Sequence, residues 1–158
     1  MRALVQRVSR CSVAVEGQVL SATGSGMLVL VGVKDTDEET DAHYLAEKCA
    51  HLRIFDDAQG TMNLSALDAS KHMMVVSQFT LYGDTRRGNR PSYTEAAAPE
   101  KAQVIYEAFV ARARELLGPE RVRTGVFRAM MQVELVNDGP VTILLESKTK
   151  PQAGGVPP

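Results

Sequence analysis

Two cysteines, three histidines and no lysine-tipped glycine loop leave this 158-residue chain short of the groups on which side-chain catalysis is usually built. Cys11 and Cys49 lie far apart, without C-x-x-C spacing or a ligand cluster nearby, which argues against zinc and for two buried free thiols in a reducing compartment. His43 and His51 fall on a charged segment of helical spacing and read as solvated. His72 stands five residues before Ser77 on what reads as one strand. That is roughly 16 Å at about 3.3 Å per residue, too far for a nucleophile and its base. A Ser-His-Asp triad is therefore not expected. Asp56-Asp57 belongs to a turn and Glu38-Glu39 to a helix start, where acidic residues complement the macrodipole, so neither pair reads as an acid and base. Gly24-Ser25-Gly26 lacks the lysine of a phosphate loop.

Charge and long apolar runs are scarce as well. A net charge of −1 gives no global attraction to nucleic acid, so any RNA contact must come from a local basic patch. The first residues, Met1-Arg2-Ala3-Leu4-Val5-Gln6-Arg7, carry charges where a signal peptide needs an apolar run, and no stretch approaches membrane-spanning length. The expectation is a cytoplasmic protein without metal or cofactor. What is present is 44% apolar residues, enough for one domain that buries about 68–70% of its unfolded surface.

Met1 to Glu16, Val19 to Thr23 and the dense run Met27 to Val31 read as an antiparallel meander whose third strand is buried on both faces. Thr36-Asp37-Glu38-Glu39 matches a capping box, and Ala42, Leu45, Ala46, Cys49 and Leu52 form the apolar stripe of the helix that follows. Arg53-Ile54-Phe55 suggests a short strand and residues 56–60 a turn, whereas 62–67 has no clear assignment. Pro99 opens a second helix with Ala102, Ile105, Tyr106, Phe109, Ala113 and Leu116 inward, ended by Gly118-Pro119. Val126–Val136 and Val141–Glu146 read as a hairpin around Asn137-Asp138-Gly139-Pro140. Residues 1–147 make the domain, and 148–158, with nothing to bury, read as a disordered tail.

Three segments remain that carry chemistry. Met73-Met74-Val75-Val76 is a buried strand that delivers Ser77-Gln78-Phe79-Thr80-Leu81-Tyr82 to its end. If the strand continues, Ser77, Phe79 and Leu81 share one face and Gln78, Thr80 and Tyr82 the other. Backbone amides and hydroxyls in such a place suit an ester, since one preorganised donor contributes about 2.7–4 kcal/mol in acyl transfer. The following loop holds Arg86, Arg87, Arg90 and Tyr93, a combination able to meet phosphates and stack on a base. Gly139-Pro140 is an ordinary trans turn or, in cis, a rigid wall without side chains. Arg7, on an apolar strand, needs an acceptor.

The hexapeptide at 77–82 and the Gly-Pro segment, together with the opening Met1 to Val8, resemble the D-aminoacyl-tRNA deacylase family over nearly the whole chain to Ser147. The resemblance implies hydrolysis of D-aminoacyl-tRNA, with action on glycyl-tRNA, by a homodimer in which a Gly-cis-Pro element projects into the partner's site. Ser77, Gln78, Phe79 and Thr80 would then line the pocket, with the Phe79 and Thr80 amides as oxyanion donors and a ribose 2'-OH assisting. Gly139 and Pro140 would exclude an L side chain, Arg7 would anchor them, and Arg86, Arg87, Arg90 and Tyr93 would meet the tRNA. Tyr93 stands where the family pattern after Arg-Pro-Ser has Phe. The fold implied is α+β, a β/β/α sandwich of antiparallel-rich mixed sheets with helices on one face. Two rivals stay open: a tRNA-end binding module without turnover, and a side-chain-dependent esterase on small substrates.

Overall fold

The computed structural model describes residues 1–147, so the tail expectation for 148–158 lies outside the described residues. The chain forms β1 (Arg2–Val15), β2 (Gln18–Thr23), β3 (Gly26–Gly32), α1 (Glu39–His51), β4 (Phe55–Asp56), β5 (Met62–Leu64), β6 (His72–Ser77), a 3-10 turn (Phe79–Tyr82), α2 (Pro99–Leu117), β7 (Val122–Thr124) and β8 (Gln132–Glu146). It is a mixed α+β domain with one six-stranded sheet, the small β4-β5 hairpin and two helices.

β1 is the axis of the sheet. One edge carries β8 along its whole length, from Arg2 opposite Glu146 to Ala14 opposite Gln132. The other edge carries β3, from Arg2 opposite Gly32 to Val8 opposite Gly26, and then β2, from Cys11 opposite Thr23. The expected meander is thus corrected: β2 and β3 are collinear partners of one edge, broken where the chain bends at Gly24-Ser25. At that level β8 is also interrupted. Gln6 faces Thr142 and Val8 faces Asn137, so Arg7 alone stands opposite the four residues Asp138–Val141. The expected hairpin is corrected for the same reason: Asp138–Val141 is a bulge within one 15-residue strand, because β1 supplies a continuous partner on both sides of it.

β6 joins β3 in parallel register, and β7 joins β6, so parallel pairs accompany the antiparallel ones. Alternation then sorts the strands into two cores. Met27, Val29, Val31, Met73 and Val75 pack with Leu45, Cys49, Phe109 and Ala113 of the helices. Leu28, Met74 and Val76 pack with Val8, Cys11, Val13 and, from β8, Val133 and Leu135. Both faces of β3 and β6 are therefore apolar, as their unbroken hydrophobic runs require.

The first helix starts later than the sequence indicates. Its N-cap is Glu38, whose amide donates to the Asp41 carboxylate at 2.9 Å, instead of a Thr36–Glu39 box. Tertiary structure diverts the expected residues: Asp37 is buried and accepts from the Lys34 amide and the Met1 ammonium, both at 2.6 Å. The second helix follows expectation from Pro99, with Leu117 buried beyond the half-buried Leu116 and Gly118 closing it at φ +93°. The unassigned segment 62–67 contributes β5, which pairs with β4.

Candidate active site

The end of β6 is where the buried sheet meets solvent. Strand geometry stops at Ser77, and the Gln78 amide still reaches the Val31 carbonyl at 2.7 Å before the chain winds into the 3-10 turn. The alternation expected had the strand continued is therefore replaced: Leu81 donates to the Gln78 carbonyl and Gly83 to that of Thr80. Gly32 makes the winding possible. A Cβ there would lie 3.1 Å from the Gln78 carbonyl oxygen and 3.1 Å from the Leu81 Cβ.

Within the turn Tyr82 points inward, while Phe79 is 57% exposed and Thr80 is exposed. The amides of Phe79 and Thr80 find no acceptor among the described residues, as expected of the first N–H groups of a helical turn. The Gln78 side-chain amide donates to the Thr80 hydroxyl, which ties those two side chains together. Ser77 is half-buried beside them. These four residues share one short exposed surface.

Arg2 was not singled out by sequence reasoning. Its Nη1 donates to the Leu81 carbonyl at 2.8 Å, its guanidinium sits 4.7 Å from the Tyr82 ring centre, and its Nε donates to Glu146 at 2.6 Å. It clamps the 3-10 turn to the start of β1. A cation at the second residue of an apolar strand was the available clue, as it was for Arg7.

The loop beyond the turn folds back on it. The Tyr93 ring meets Phe79 edge to face, with centroids 5.0 Å apart and planes at 69°. Asp84 and Ser92 exchange backbone hydrogen bonds at 2.8 and 2.9 Å, closing the loop base. Arg86 is taken up by Asp84 at 2.7 Å, and its hydrogen bond pulls that carboxyl down to about 2. Arg87 and Arg90 are exposed and without an ion pair among the described residues. Two of the three expected loop cations thus stand free, whereas Arg86 has its charge matched by Asp84.

Gly139-Pro140 is a cis peptide. Arg7, its side chain only 12% exposed, donates from Nε to the Asp138 carbonyl at 2.8 Å and from Nη1 to the Ile54 carbonyl at 2.7 Å. Asp56 lies 3.3 Å from Nη1. The arginine thus joins β1, the β8 bulge and the approach to β4. Arg2 holds the 3-10 turn and Arg7 the bulge, five residues apart on β1, roughly 17 Å at about 3.4 Å per residue. Within one chain the structure does not bring Gly139-Pro140 to Ser77–Thr80.

Cysteines and histidines stay out of this surface. Burial pushes the Cys11 thiol up to about 11 and the Cys49 thiol up to about 12, so neither is a thiolate near neutral pH. His43 and His51 are exposed on α1, and His72 begins the strand that Ser77 ends.

Known proteins share this sequence and fold. The family model of D-Tyr-tRNA(Tyr) deacylase matches residues 4–146. A D-aminoacyl-tRNA deacylase of Koribacter versatilis is 59% identical over 150 residues, 94% of this chain and 98% of that one. Another, of Anaeromyxobacter dehalogenans, is 58% identical over 148 residues, with 94% and 98% covered. Among solved structures, a c-Myc DNA unwinding element binding protein superposes with a TM-score of 0.90 at 40% identity, covering 94% of this chain and all of that one. With its residues 4–146 matched by the family model and its sequence more than half identical to these relatives, the chain belongs to the D-Tyr-tRNA(Tyr) deacylase family.

Proposed function

We propose that this protein hydrolyses the ester of D-aminoacyl-tRNA, and of glycyl-tRNA, to free amino acid and tRNA, as a proofreader in the cytoplasm. The observation that carries the reading is the 3-10 turn at the end of β6. It offers two unpaired amides, of Phe79 and Thr80, on an exposed surface that no histidine or thiolate shares. Such a surface can hold a carbonyl and stabilise the oxyanion, while the ribose 2'-OH beside the ester supplies the group the protein lacks. The mechanism is metal-free and RNA-assisted. Arg87, Arg90 and, through exchange with Asp84, Arg86 meet the acceptor-end phosphates, with Tyr93 beside Phe79 against the terminal base.

Chirality enters through Gly139-Pro140, which excludes an L side chain but has nothing to set against glycine. Because strand register puts Ser77 at the level of Val31 and Ala3, and Gly139-Pro140 at the level of Arg7 on β8, three strands away from β6, they act in the site of a second copy, and the enzyme is a homodimer. The two cores on opposite faces of β3 and β6 support a β/β/α layering under this site. The relatives' names put either an aminoacyl-RNA or a DNA element against this fold, and the two unpaired amides at the strand end favour the former.

The test is the rate of ester loss from D-tyrosyl-tRNA, L-tyrosyl-tRNA and glycyl-tRNA with chelator present. Loss of the D and glycyl esters alone is expected; equal rates on all three would indicate an unselective esterase, and saturable binding without loss a binding module. Thr80→Val is expected to keep turnover within about tenfold, because one hydrogen bond of about 0.5–1.5 kcal/mol is removed and no nucleophile. A covalent role for Thr80 requires complete loss, which single-turnover kinetics would show. Arg2→Ala removes a charge-assisted bond of about 1.5–3 kcal/mol from the Leu81 carbonyl. Its kcat is expected to fall about tenfold or more with KM little changed, and Arg2→Lys to restore part of it.

A further inference from the structure

The two ends of the sheet, β2 and β7, approach each other across a polar cleft of about 400 Å³ lined by Ser21, Thr124, Arg114, Arg123 and Pro119, with Leu20, Ala22 and Val122 between them. We propose that this seam is a second ligand site, one that takes a phosphate group.

Four features converge on that chemistry. First, the cations come from separate walls: Arg114 from the last turn of α2 and Arg123 from the middle of β7. Both are exposed, and neither side chain has a hydrogen bond or ion pair among the described residues. Second, none of the described residues that line the cleft is a carboxylate, so none of them competes for the guanidinium groups. Third, Ser21 and Thr124 bring hydroxyls to the lining. Ser21 Oγ donates to the Met74 sulfur at 3.7 Å and keeps its lone pairs, which places the β2 wall opposite Arg123, the β7 partner of Met74. Fourth, among the described residues β7 pairs with β6 alone and β2 with β1 alone, so each presents an edge without a strand partner. Planar forks and hydroxyls without an acid are the complement of phosphate oxygens. The volume falls within the range of about 300–1,000 Å³ of small-ligand sites.

The seam is distinct from the 3-10 turn. Thr124 pairs with Val75 and Arg123 with Met74, so the cleft lies along β6 behind the exposed end that carries Gln78–Thr80. The phosphate therefore belongs either to a free phosphomonoester or to an RNA phosphodiester remote from the ester. The second alternative rests on the function proposed above, and the first does not.

The test uses the full chain and its Arg114→Gln, Arg123→Gln and double variants, all at exposed positions and checked by circular dichroism. Inorganic phosphate and 5'-AMP are titrated calorimetrically at constant ionic strength, and KM for D-tyrosyl-tRNA is measured in parallel. Each single change is expected to weaken binding about tenfold, the loss of one charge-assisted hydrogen bond. A free ligand predicts that 5'-AMP binding is lost in the double variant while the tRNA KM holds. An RNA phosphodiester predicts that the KM rises at least fivefold with kcat unchanged and that its salt dependence becomes shallower. The proposal is overturned if neither phosphate nor 5'-AMP binds and the KM is unaltered, or if the double variant binds them as tightly as the parent. Since phosphate binding is read without turnover, failure of the site and failure of the deacylase reading give different results.

Discussion

Gly139→Ala is expected to leave a folded protein whose deacylation of D-tyrosyl-tRNA falls by at least tenfold. A Cβ at this position would stand 2.8 Å from the Val141 Cγ2 and 2.9 Å from the Val141 amide nitrogen, and 3.4 Å from the Arg7 Nη2. The first two neighbours belong to a branched side chain and to backbone, which cannot swing aside as a flexible tip would. The residue's φ of +143° adds a conformation that alanine disfavours by about 1–3 kcal/mol. The bulge must therefore move, and the bond from Arg7 Nε to the Asp138 carbonyl at 2.8 Å must stretch or shift with it. Urea unfolding should show a loss of about 1–3 kcal/mol, and the three-ester assay a narrowed preference for D over L. A variant with unchanged stability and unchanged preference would place the chiral wall elsewhere.

Arg7→Ala should be the more damaging to stability, by about 3 kcal/mol. The ion pairs around this residue count for little, since Asp56 and Asp138 are 52% and 60% exposed and their charges are screened. The carbonyl bonds decide the outcome. Ile54 and Asp138 each accept a charge-assisted hydrogen bond of about 1.5–3 kcal/mol, and both lose their donor at once. The two effects overlap because one group serves both, which holds the total below their sum. Arg7→Lys, a single point donor, should recover no more than one of the bonds. Combined with Gly139→Ala, the loss should be smaller than additive, since a bulge already displaced no longer uses the arginine. Urea denaturation of the four proteins in the cycle measures that coupling, and strict additivity would mean that Arg7 does not hold the bulge.

Much of the architecture is legible in local pattern. The stripe Ala42, Leu45, Ala46, Cys49 marked α1, and Pro99 with Gly118 bracketed α2, because helical period and end residues are properties of neighbouring positions. The run Met73–Val76 marked a buried strand whose end turns polar. Where local pattern had two outcomes, the longer-range partner chose. Asn137–Pro140 carries a turn signature, yet β1 runs unbroken past it and makes a bulge of Asp138–Val141. Thr36–Glu39 carries a cap signature, yet Asp37 is drawn inward by the Met1 ammonium and the Lys34 amide, and the cap shifts to Glu38.

The candidate site divides in the same way. From sequence come the inventory and its exclusions: Ser77–Thr80 at a strand end, Gly139-Pro140, an arginine at 7 on an apolar strand, and no base within reach of a nucleophile. Those follow from residue identity and from distances along the chain, which covalent geometry bounds. The clamp of Arg2 on Leu81 and Tyr82, the edge-to-face contact of Phe79 with Tyr93, and the separation of the Gly-Pro bulge from the 3-10 turn were decided by tertiary structure alone. Each joins residues distant in sequence through the folding of β1 against β3 and β8, and no local periodicity encodes which strands become neighbours or in what register.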